Sequence, residues 1–146
     1  NKTLDEGMTS LIASEYFDYG FIKNGYDKEV VVTKIFCELL GADKMLEAYT
    51  TMNNEMIDDE LLMIYGSQEM VDSIYDLIDK FIDSDNENLS DNFINLVLLL
   101  INEAPEEKQM DIYEKLISVN DYGNAYFSDN YKVYCKTIKS TEKLFD

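Results

Sequence analysis

Apolar residues recur every three or four positions along nearly the whole chain, and no stretch alternates as a half-buried strand does. The pattern is clearest from Ser67 to about Ser84. There Met70, Val71, Ile74, Tyr75, Leu77, Ile78, Phe81 and Ile82 fall on one side of a helix, with Asp72, Asp76, Asp79 and Lys80 on the other. Ser67 is a suitable N-cap, Gly66 closes the preceding segment, and Glu69 in the first turn complements the helix dipole. A second helix is expected over Asp27–Leu40, where Val31, Val32, Ile35, Phe36, Leu39 and Leu40 repeat with the same period and Gly41 ends the run. Shorter helices are expected over Ala42–Met52 and Asn54–Tyr65, separated by Asn53 and Asn54.

From Ser90, expected as an N-cap, the run Phe93, Ile94, Leu96, Val97, Leu98, Leu99, Leu100 and Ile101 leaves almost no polar face, which marks a central buried helix. It is too short to span a bilayer, which takes about twenty apolar residues. Pro105 suits the first position of the next helix, ahead of Met110, Tyr113, Leu116 and Ile117. Beyond Gly123, Phe127, Tyr131, Tyr134, Ile138 and Phe145 mark one face of a last helix. The expected fold class is all-α, a compact bundle of about seven or eight short helices. No segment repeats at a fixed period. The polar stretch Asp83–Ser90 is the one candidate boundary, and residues 1–146 are read as a single helical domain.

Charge and residue type remove several functions. Thirty acids against twelve bases give a net charge of -18, a field that repels a phosphate backbone, so no nucleic-acid partner is expected. There is no histidine, so this chain alone cannot build a Ser-His-Asp triad, a Cys-His dyad or a histidine zinc site. Cys37 and Cys135 lie far apart in helical segments and read as reduced, buried hydrophobes, although spacing alone leaves a disulfide open. Every base is lysine, and Asn, Ile, Tyr and Asp are abundant, a bias that AT-rich codons favour and that points to a bacterial source. The opening Asn1-Lys2-Thr3-Leu4-Asp5-Glu6 is polar, unlike a signal peptide, and the chain is expected to be a fragment of a larger protein.

Among the acidic clusters, Asp83, Asp85 and Glu87 alternate like the first ligands of a calcium loop. However, Asn88 stands where that loop needs glycine and Ile94 where it needs glutamate, so a solvated linker is the reading. Asp58, Asp59 and Glu60 read as a charged helix face or first turn. Most methionines and tyrosines fall at core spacing, with Tyr122, Tyr126, Tyr131 and Tyr134 as candidates to line a groove.

The opening segment carries a different signal. Leu4-Asp5-Glu6-Gly7-Met8-Thr9-Ser10 leads into Ala13-Ser14-Glu15-Tyr16-Phe17, a break from Gly20 to Gly25, and then Tyr26-Asp27-Lys28-Glu29-Val30-Val31 and an amphipathic helix. Over roughly residues 3 to 50 this resembles the segment that follows the His-Glu-x-x-His helix in gluzincin-type zinc metallopeptidases. The resemblance implies that Glu6 is the third zinc ligand, a hard carboxylate completing two imidazoles and a water. It also implies that the following helices form an all-α C-terminal subdomain. Asp5 stands where the family usually has asparagine. Ser10, one turn after Glu6, replaces an acidic residue that some members use to orient a zinc histidine.

The implied partner is therefore an upstream catalytic domain of the same protein, supplying both histidines and the general-base glutamate. The implied cofactor is zinc and the implied substrate a peptide, while the chain alone is inert. A rival reading, carried by the net charge alone, is an acidic helical interaction module of the immunity or inhibitor type.

Overall fold

A valine-rich segment sits at the middle of the molecule. In the computed structural model, which describes residues 1–16, 27–121 and 129–145, helix α2 (Asp27–Leu40) buries Val30, Val31, Val32, Thr33, Ile35 and Phe36. Four consecutive β-branched residues are poor helix formers on their own, so packing from several sides holds this helix. Around it lie α1 (Lys2–Tyr16), α3 (Ala42–Thr50), α4 (Glu55–Tyr65), α5 (Gln68–Ile82), α7 (Glu106–Ile117) and α8 (Asp129–Ser140), with α6 (Leu89–Asn102) between α5, α7 and α8. Short 3-10 turns follow α7 and α8, over Ser118–Asp121 and Thr141–Phe145. No strand occurs among the described residues, and the fold is an all-α bundle of eight helices. No helix among them is long and apolar enough to cross a membrane.

The expected helix signals are met at most ends. Ser67 caps α5 by accepting a hydrogen bond from the Met70 amide at 3.2 Å. Gly66 ends α4 in the left-handed region at φ 84, its amide donating to the Leu62 carbonyl at 2.8 Å. Three expectations need correction. Helix α6 starts at Leu89, before Ser90, because the Asp85 carboxylate accepts from both the amide and the side chain of Asn88 and sets the turn there. Ile94, Leu98 and Leu99 of α6 are only half-buried, so the central helix is α2. The last helix tightens to 3-10 geometry at Thr141 and does not run on to Phe145. Pro105 stands immediately before α7, its carbonyl accepting from the Lys108 amide at 2.8 Å.

Helices α5 and α6 pack against each other across the polar stretch 83–90, and one buried cluster runs from Leu4 to Ile138. Phe81, Phe93 and Tyr134 form its aromatic centre, with ring centroids 4.9 to 5.3 Å apart. Tyr131 is fully buried and donates its hydroxyl to the Val119 carbonyl at 2.8 Å. Tyr131 and Tyr134 are thus core residues, whereas Tyr122, Gly123, Tyr126 and Phe127 lie outside the described residues.

Candidate functional site

Helix α1 lies at the edge of the bundle, packed chiefly against α2. Leu4, Met8 and Leu11 form its buried stripe, and Gly7 completes the line. At Gly7 the two helices come so close that an added Cβ would collide with the Thr33 hydroxyl and stand 2.5 Å from the Glu29 carbonyl oxygen. This contact fixes the rotation of α1. Asp5, Glu6, Thr9 and Ser10 then fall on the side away from the core and together line a concavity of about 230 Å³.

Glu6 is a third exposed and has the Lys2 ammonium 4.0 Å away. Asp5 is more exposed and stands 3.9 Å from the amino group of Asn1. Both pairs join residues one helical turn apart at the surface, where such contacts contribute little. The hydroxyls of Thr9 and Tyr49 meet at 2.8 Å and tie α1 to α3. Beyond Asp5 a second concavity, of about 570 Å³, is lined by Asp5, Tyr49, Thr50, Met52 and Asn54.

Two further acids open α2. Asp27 and Glu29, in the first turn of α2, are each only 7% exposed, and Asp27 Oδ1 and Glu29 Oε2 meet no hydrogen-bond partner among the described residues. Lys28, the nearest cation in sequence, turns its ammonium instead to the carbonyls of Ile82 and Ser84 at 3.1 and 3.0 Å, where it caps the end of α5. Burial pushes the Glu29 carboxyl above its ordinary value, and repulsion from Glu6 and Asp27 adds to this. Sequence reasoning missed this pair. The available signal was two acids opening a helix that is otherwise apolar on nearly every side.

The remaining candidate residues have structural uses. The carboxylate of Asp58 accepts the Tyr75 hydroxyl at 2.6 Å, and Glu60 pairs with Lys44. Asp83 ends α5 and Asp85 makes the turn into α6. Cys37 and Cys135 are buried and form no disulfide, and burial pushes the Cys135 thiol up to about 11.

Glu6 supplies one carboxylate, and no group of three or more His, Cys, Asp or Glu among the described residues is arranged to hold a metal ion. A zinc ion at Glu6 would need its other ligands from outside the described residues. What the face can do unaided is present two carboxylates and two hydroxyls to whatever covers it. Comparison with protein families, curated proteins and solved structures finds no match.

Proposed function

We propose that this chain is the C-terminal helical subdomain of a bacterial zinc metallopeptidase, forming one wall of the substrate cleft and supplying Glu6 to the metal. The observation that carries this reading is the Gly7 contact. By seating one side of α1 on Thr33, it turns Glu6 and Ser10, one turn apart, outward into a single concavity on an edge helix. A catalytic helix can dock there without disturbing the core. Zinc, when bound, would polarise the scissile carbonyl and lower the pKa of a bound water. This chain's part is to hold the Glu6 carboxylate in place, with Lys2 as its only near cation among the described residues.

The reading is tested by determining the coding sequence upstream of Asn1. It requires a His-Glu-x-x-His helix roughly twenty residues before Glu6. In the protein carrying that helix, Glu6→Gln should lower the zinc retained after dialysis while leaving the helical circular dichroism unchanged. An unrelated domain upstream, or full zinc retention by the variant, overturns the reading.

A further inference from the structure

We propose that the exposed side of α8 docks on the exposed side of α5 in a second copy of this chain, joining the two through lysine–aspartate pairs. Of the twelve lysines, Lys132, Lys136, Lys139 and Lys143 follow one another at about one-turn intervals along α8 and the 3-10 turn behind it. All four are exposed, and the first three lie within about 60° of one another around the helix axis, while Tyr131, Tyr134, Cys135 and Ile138 fill the core side. No acid occurs from Tyr131 to Ser140, so on a chain of net charge -18 this ridge is a surface of opposite sign. The helix dipole accounts for Lys139 in the last turn. It does not account for Lys132, which stands in the opening turn, where a cation is disfavoured. Neither Lys136 nor Lys139 is ion-paired among the described residues.

Helix α5 carries the counterpart. Asp72, Asp76 and Asp79 are exposed and repeat the same spacing, four residues and then three, so they too form a ridge about 60° wide. Asp83 extends this row at the helix end as Lys143 extends the other, and Lys80 lies to one side of it. Each set of three spans about 10 Å, so the opposite charges come into register when the two ridges lie side by side. Among the described residues these aspartates make no ion pair, and Asp72 accepts only from the Gln68 side chain at 2.9 Å. Val133, 49% exposed beside the lysines, adds apolar surface to the contact.

One molecule cannot pair its own ridges, because both face solvent and α6 packs between their helices. A nucleic acid or an anionic bilayer would oppose the acidic remainder of the chain over a broad area. A narrow ridge meets its partner locally, with most other charges beyond the Debye length of about 8 Å at physiological salt. The contact joins unlike surfaces, so it closes as a dimer if both pairings form about a twofold axis and otherwise runs on as an open chain. It is independent of the zinc reading, since α1 packs on α2 and α3.

The test is sedimentation equilibrium of this chain over a wide range of concentration. Surface pairs are individually weak, so association is expected to grow only at high concentration. Lys136→Glu with Lys139→Glu, and separately Asp76→Lys with Asp79→Lys, should each weaken it about tenfold or more while leaving the helical circular dichroism unchanged. The first pair makes the chain four charges more negative and the second four charges less negative, so loss in the second cannot come from added repulsion. Mixing the two variants should restore association, because each offers the ridge that the other lacks. A parent chain that stays monomeric, tighter association in the aspartate-to-lysine variant, or no recovery on mixing overturns the proposal. Retention on phosphatidylserine vesicles by a chain that stays monomeric also overturns it, and assigns the lysine ridge to a membrane surface.

Discussion

The backbone of Gly7 rests directly on Thr33, whose hydroxyl is already committed to the Glu29 carbonyl at 2.7 Å. A methyl group at position 7 has no room unless α1 lifts from α2, because both neighbours are fixed, one of them backbone. Gly7→Ala raises intrinsic helix propensity, which favours the variant by about 1 kcal/mol, but the overlap in a packed interface should outweigh that gain. The expected net loss is about 1–3 kcal/mol in urea unfolding. Thr33→Ala in the same chain should recover part of it, giving a positive coupling in the double-mutant cycle. Additive losses would show that Gly7 and Thr33 do not meet.

Met52 makes the opposite case. Its φ of 54 belongs to a helix end at which glycine or asparagine is usual, and its side chain contributes little burial in exchange. Met52→Gly should therefore stabilise the chain by about 0.5–1 kcal/mol, read as a rise in the urea midpoint with an unchanged slope. A loss of stability would mean that the thioether makes contacts worth more than the backbone strain.

Helix positions were legible because both halves of the signal are local. In α5, the apolar stripe and the Ser67 cap lie within one segment, and the observed helix runs from Gln68 to Ile82. What three-dimensional packing decides was not legible. The leucine run of α6 looked more central than the valine run of α2, yet centrality depends on how many neighbours a helix has, and α2 touches more of them. Likewise Gly7 stood out beside Glu6 as part of a motif, while its contact with Thr33 joins residues on two different helices. The burial of Asp27 and Glu29 was signalled only by the apolar helix they open, a weak cue because an acid in a first turn is usually solvated.

Glu29 gives the chain a pH dependence of predictable sign. Burial raises its carboxyl above the ordinary value of 4.5, so the folded state holds a proton where the unfolded state has lost it. The stabilisation this provides is complete below the unfolded value and is lost as pH rises through the raised folded value. Glu29→Gln removes the titration, so the variant should gain on the parent chain as pH rises from the unfolded value through the raised folded one in urea unfolding. Parallel stability profiles for the two proteins would show that Glu29 is solvated in the folded state.

Tyr75 and Asp58 form the polar link between α4 and α5, with the phenol donating to the carboxylate at 2.6 Å. A short bond to a charged acceptor in a half-buried site is stronger than a neutral one, so Tyr75→Phe should cost about 1.5–3 kcal/mol, and the cost should shrink in an Asp58→Asn background. Burial first, then this bond and the Asp58 charge, push the Tyr75 phenol far above its usual value. Burial alone raises Tyr65, whose hydroxyl donates to the Leu100 carbonyl at 2.7 Å, and burial with repulsion from Asp27 and Glu29 pushes Tyr134 up to about 12. For these phenols the folded state favours the protonated form, so their stabilisation is present below the unfolded value near 10 and is lost as pH rises through the folded values. In an alkaline titration followed by phenolate absorbance, exposed tyrosines should ionise first, and Tyr65, Tyr75 and Tyr134 only together with the loss of helical signal. Replacing Tyr75 by phenylalanine should remove one phenolate from that late step and bring the step to lower pH. A titration in which all tyrosines ionise near 10 with the helices intact would contradict the burial of all three.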